Sequence, residues 1–132
     1  MGSSENTNNH PDADKVAAVK IARIAATVLV LLLFTVGSLP ETGSAFSGMM
    51  HWIAHVGMYA LISFAVGLGW RQLPAWLVVA LVALVGVFHE STEVFTHHHA
   101  LEIVDMGVNA LGAFVGTFMQ RLTVRCVIHR PG

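Results

Sequence analysis

Residues 88–112, FHESTEVFTHHHALEIVDMGVNALG, place four carboxylates, four histidines and an asparagine in a chain that is otherwise strongly apolar. Hydrophobic residues make up 55% of it and charged residues 11%, whereas a soluble domain carries about 25% charged residues. The composition is that of an integral membrane protein. At membrane depth the backbone must satisfy its own hydrogen bonds, so the apolar runs flanking this stretch can only be helices. Ionisable groups are expensive there, and a chain keeps them turned inward and usually for function. The polar stretch therefore fixes the problem: an all-α membrane bundle must close around it.

With 132 residues the chain holds one domain. Residues 1–14 are polar and without apolar periodicity, and read as a disordered tail. The first helix is expected from Val16 to Leu39, with Lys15, Lys20 and Arg23 at its start and no charge from Ala25 to Val36. It is long enough to cross a bilayer, which takes about 20 apolar residues. A cleaved signal peptide is the competing reading, with Gly43-Ser44-Ala45 as the cleavage site. Ser38 to Met50 is rich in Gly, Ser and Pro and reads as a loop. A second helix is expected from His51 to Gly69, a third from Ala75 to Phe95, and a fourth from Glu102 to Leu122. Thr96 to Leu101, with its His97-His98-His99 run, reads as a short loop, and residues 123–132 as a basic tail. The membrane domain is thus 15–122, a four-helix transmembrane bundle.

Charge sets the expected topology. All seven basic residues, Lys15, Lys20, Arg23, Arg71, Arg121, Arg125 and Arg130, fall on one side of four such spans. The positive-inside rule makes that side the cytoplasm, with both termini cytoplasmic and the chain in a bacterial inner membrane. Glu41, Glu90, Glu93, Glu102 and Asp105 lie at or near the other face. No basic patch with interleaved aromatics points to nucleic acid. Cys126 is the single cysteine, so no internal disulfide can form.

Three polar faces follow from helical spacing. His51, His55 and Tyr59 share one face of the second helix. Gly86, Glu90, Glu93 and His97 share one on the third, and Asp105, Asn109, Gly112 and Gly116 one on the fourth. At about 1.5 Å per residue, His55, Glu90 and Asp105 all lie one to two turns below the outer surface. A binding cluster of His55, Tyr59, Glu90, Glu93, Asp105 and Asn109 is expected there. Gly112 and Gly116 form a GxxxG face suited to close helix packing. Glu90, Glu93 and Asp105 cannot all stay ionised together without a shared proton or a bound cation, and no Lys or Arg lies on that side.

From Glu90 onward the chain resembles the VanZ-like family, small bacterial membrane proteins named for a teicoplanin-resistance protein. Glu90, Asp105, Asn109 and Gly112 match that family's signature, while Glu93 stands where it usually has Gln and His99 where it has Arg. An earlier Asp-Lys-x-x-His-x-x-x-Tyr motif falls on His51, Trp52, His55 and Tyr59, of which His55 and Tyr59 match. The resemblance spans about 62 residues from His51 to Gly112. It implies an envelope-associated protein linked to glycopeptide resistance. The departures lose the family's Asp, Lys, Gln and Arg and gain two His and one Glu, which disfavours an anionic headgroup and enriches the site in metal ligands.

Three functions fit these residues. The leading one is a non-enzymatic site for a lipoglycopeptide or a lipid-linked envelope precursor. The second is a membrane-embedded metal-dependent hydrolase acting on a lipid-linked substrate. In that reading His51, His55, Glu93 and Asp105 would ligate a divalent metal such as Zn or Mn, and Glu90 would act as general base. His89-Glu90-x-x-Glu93 is a cousin of the HExxH metal pattern with the second His replaced by Glu, but His89 and Glu90 are adjacent and point about 100° apart on a helix, which argues against both being ligands. The third is an ion- or proton-coupled transporter with Glu90, Glu93 and Asp105 as a relay. The wholly apolar first half of the third helix offers that path no continuation.

Overall fold

The computed structural model describes residues 11–39, 48–97 and 103–128. They form four helices in chain order: α1 (Pro11–Gly37), α2 (Met49–Gly69), α3 (Ala75–His97) and α4 (Ile103–Ile128). The protein is an all-α four-helix bundle. Residues 1–10, the cleavage triplet Gly43-Ser44-Ala45, His98, His99, Glu102 and residues 129–132 lie outside the described residues.

The helices run longer than apolarity alone predicts, and helix-end chemistry accounts for the extensions of α1 and α4. α1 starts at Pro11, so residues 11–14 belong to the helix and not to the polar tail. Proline is pre-set for a first helical position, and Asp14 suits the positive end of the helix dipole. α3 continues through His97, so Thr96 and His97 extend the helix. On its last turns, Ser91 Oγ donates to the Val87 carbonyl (2.7 Å) and Thr92 Oγ1 to that of His89 (2.7 Å). α4 passes Leu122 and reaches Ile128, with Arg125 in its last turn, where a cation suits the dipole. The basic tail is therefore largely helical.

α2 is the centre of the bundle and packs against all three other helices, whereas α1 and α4 do not touch among the described residues. Leu33, Tyr59, Ile62, Val82 and Ala113 form the buried core, one or more from each helix. Two arginines fasten the tight α2–α3 turn to its neighbours. Arg23 Nε of α1 donates to the Gly69 carbonyl (2.9 Å) and its guanidinium lies over the Trp70 ring at 5.2 Å. Arg121 of α4 donates to the Leu73 carbonyl (2.6 Å). This defines a basic end of the bundle. Gly48 opens α2 at the opposite end with φ of 60°, a left-handed conformation that glycine adopts without strain.

α1, α2 and α3 are long and apolar enough to cross a membrane, so the chain is a membrane protein. α4 is less apolar because it carries Asp105, Asn109 and Gln120. All three are buried against the bundle. The residues it exposes between Leu111 and Leu122 are Leu111, Phe114, Val115, Phe118, Met119 and Leu122. Polarity averaged along α4 hides an outward face fit for lipid.

Candidate functional site

Close approach of α2 and α4 builds the floor of the site. A Cβ on Gly112 would lie 2.7 Å from the Val56 carbonyl oxygen and 2.9 Å from Tyr59 Cβ, and one on Gly116 would collide with the Ala60 carbonyl. The two glycines bring the helix backbones together. Ser63 Oγ then reaches the Ala113 carbonyl (2.8 Å) and Thr117 Oγ1 (2.7 Å) across the seam. Gly86 of α3 serves the third side: a Cβ there would meet Asn109 Cβ at 3.0 Å and Tyr59 Cε1 at 3.3 Å.

Above this floor the polar groups from three helices connect. His55 Nδ1 lies 2.7 Å from Asn109 Oδ1, and Asn109 Nδ2 donates to Glu90 Oε1 at 3.0 Å. With Glu90 ionised, a carboxylate only accepts, so the amide oxygen must face His55 and the Nδ1 of that ring must carry the hydrogen. His55 Nδ1 is also 3.7 Å from Glu90 Oε1. The ring of Tyr59 lies beneath His55 with centroids 6.2 Å apart. Its hydroxyl is buried with no hydrogen-bond partner. Asn109 is fully buried, and Glu90 is 4% exposed.

Asp105 is held separately. His51 Nε2 donates to Oδ2 at 3.2 Å and Trp52 Nε1 to Oδ1 at 3.1 Å, so both carboxylate oxygens are satisfied although the residue is buried. His51 also lies against His55, with ring centroids 4.3 Å apart.

A third group faces α1. His89 is 3% exposed, with Phe34 edge-on at 5.6 Å and His55 at 6.2 Å between centroids. Its Nε2 is 3.6 Å from Glu93 Oε1, and neither ring nitrogen makes a hydrogen bond of ordinary geometry. The ring fits because residue 37 is glycine; any Cβ there would collide with Nε2. The ligand atoms of His89, Glu90 and Glu93 all lie within 4.8 Å of one another.

The structure thus connects His55, Asn109 and Glu90 in one network, packs the Tyr59 ring against His55 without a hydrogen bond from its hydroxyl, and sets Asp105 beside them. It divides the quartet His51, His55, Glu93 and Asp105: His51 pairs with Asp105, His55 with Asn109, and Glu93 with His89. Trp52 joins the site without having been expected there, and His89, which the His89-Glu90-x-x-Glu93 spacing offered and the helical angle to Glu90 argued against, joins it too. Trp52 lies three residues before His55, on a neighbouring strip of α2, and its indole N–H was the available signal. His89 lies one turn before Glu93, which puts those two on a common face. Side chains of residues 95–97, His97 included, are outside the described set.

No known protein family matches the chain, and no curated protein or solved structure matches it either.

Proposed function

We propose that this chain is a VanZ-like protein of the bacterial cytoplasmic membrane. Its polar site, under the outer surface, binds a lipoglycopeptide or a lipid-linked envelope precursor and does not transform it. The observation that supports this reading is the chain from His55 through Asn109 to Glu90. These residues carry the resemblance, come from three different helices, and meet in one network, with the ring of Tyr59 packed against His55.

The chemistry of the site indicates which part of a ligand it takes. Glu90, Glu93 and Asp105 supply carboxylates, and every described Lys and Arg lies towards the basic end, where Arg23 and Arg121 bind the α2–α3 turn. A site of this charge favours amine and amide N–H groups over phosphate. Binding close to the bilayer surface also suits an amphiphile whose tail remains in lipid.

Expression in a teicoplanin-sensitive bacterium tests the proposal. The wild-type chain should raise tolerance, and Glu90→Gln and Asp105→Asn should each abolish that effect at equal membrane abundance. Both substitutions preserve shape and remove charge. Tolerance that survives both, or no effect of the wild-type chain, would overturn the proposal.

A further inference from the structure

We propose that His89, Glu90 and Glu93 form a binding site for one divalent transition-metal ion of the Zn²⁺ or Mn²⁺ class. This inference does not depend on any glycopeptide function, and its ligand set is the His89-Glu90-x-x-Glu93 one and not the quartet His51, His55, Glu93 and Asp105.

His89 is the starting point. It is a buried imidazole, neither of whose ring nitrogens makes a hydrogen bond of ordinary geometry. Buried polar groups nearly always have partners, and an exception calls for an explanation such as an ion. The nitrogen aimed toward Glu93 is Nε2, at 3.6 Å from Oε1. That is too long for a good hydrogen bond, but it suits two ligands of a common ion. Glu90 sits about 100° further round the helix, and its longer side chain closes the gap, leaving all three ligand atoms within 4.8 Å. Metal–nitrogen and metal–oxygen bonds of about 2.1 Å put two ligands of one ion at most about 4.2 Å apart. The His89–Glu93 separation of 3.6 Å already meets that limit, and the three atoms together exceed it by no more than about 0.6 Å.

Charge and surroundings agree. Two carboxylates and one divalent ion are neutral together, in a region that no described Lys or Arg reaches. One imidazole and two carboxylates are donors suited to Zn²⁺ and Mn²⁺. Glu90 is oriented by Asn109, which is in turn bound by His55, the kind of outer support that ligating carboxylates normally have. Asp105 is already satisfied by His51 and Trp52 and is not needed. Gly37 leaves space for the His89 ring, and the half-buried Glu93 leaves a route of entry.

The test uses untagged, full-length protein purified in detergent, stripped with chelator and loaded with Zn²⁺ or with Mn²⁺ alone. Elemental mass spectrometry should find about one ion per chain after dialysis. His89→Ala and Glu93→Gln should each weaken binding at least about 10-fold, the scale on which even supporting residues of metal sites act. His51→Ala should bind as wild type, as should a chain with His97→Ala, His98→Ala and His99→Ala combined. No retained ion in the wild type would overturn the proposal. So would wild-type binding by both ligand variants, or loss confined to the triple-histidine chain. If His89→Ala does not fold, X-ray absorption on the zinc-loaded wild type decides: one imidazole with carboxylate oxygens supports the site, and a shell of several imidazoles refutes it. Metal content is read without any resistance assay, so failure here and failure of the envelope reading are separate results.

Discussion

Asn109 is the residue on which the polar network turns. Its amide accepts from His55 and donates to Glu90, and it is fully buried. Removing one partner from such a link leaves a buried group unsatisfied, whereas replacing both by apolar groups costs far less. Asn109→Leu and Glu90→Leu should therefore each destabilise the protein, and the double variant should be more stable than the two single losses added together. The coupling should be about 1–2 kcal/mol, near the upper end for hydrogen bonds between membrane helices. Denaturant unfolding in mixed micelles measures it, and additive losses would show that the two side chains do not share a network. The residues of this network were legible in the sequence because spacings of four place His55 with Tyr59 on one face and Asp105 with Asn109 on another. Trp52 and His89 were harder to read. Trp52 looks like an ordinary interfacial aromatic until Asp105 is seen to accept its N–H. His89 packs its ring against Gly37, a residue far earlier in the chain with no side chain to announce the contact.

At the scale of helices, the α2–α4 seam carries the assembly, and glycine sets its spacing. A methyl at Gly116 would fall on the Ala60 backbone, whereas one at Gly107 would meet nothing within 4 Å. Gly116→Ala should cost about 1–3 kcal/mol through overpacking. Gly107→Ala should be neutral or should stabilise by about 0.5–1 kcal/mol, because alanine is the better helix former. Thermal unfolding of the two variants in the same detergent separates packing from propensity, and equal effects would contradict the close approach. All four helices were legible as apolar runs, since lipid leaves no other option for such segments. Their ends were not, because Pro11 and Asp14 read as a polar tail although they are good helix-starting residues. Similarly, the run from Thr123 to Ile128 looks like a charged tail but continues α4 for more than a turn.

The whole molecule has two unlike ends, and this polarity makes its orientation testable. Arg23 and Arg121 clasp the α2–α3 turn at one end, while His51, Asp105, Glu90 and Glu93 gather toward the other. Seven basic residues divided this way should orient the chain with the basic end in the cytoplasm. Cys126 is the single cysteine, lies near the end of α4 and is exposed, so it is a ready-made reporter for that end. A membrane-impermeant maleimide should leave it unlabelled in intact cells and label it in inverted vesicles. Met49 opens α2 at the polar end and is 73% exposed. Met49→Cys combined with Cys126→Ser should give the opposite pattern, with labelling in intact cells. Labelling of both sites from the same side would mean that α2, α3 and α4 do not cross the bilayer an odd number of times between them. Labelling of Cys126 from outside, with the Met49→Cys thiol reached only from inside, would preserve the bundle but invert it. The polar site would then face the cytoplasm, out of reach of extracellular glycopeptides, while the His89–Glu90–Glu93 metal site would be unaffected because its geometry does not depend on which side it faces.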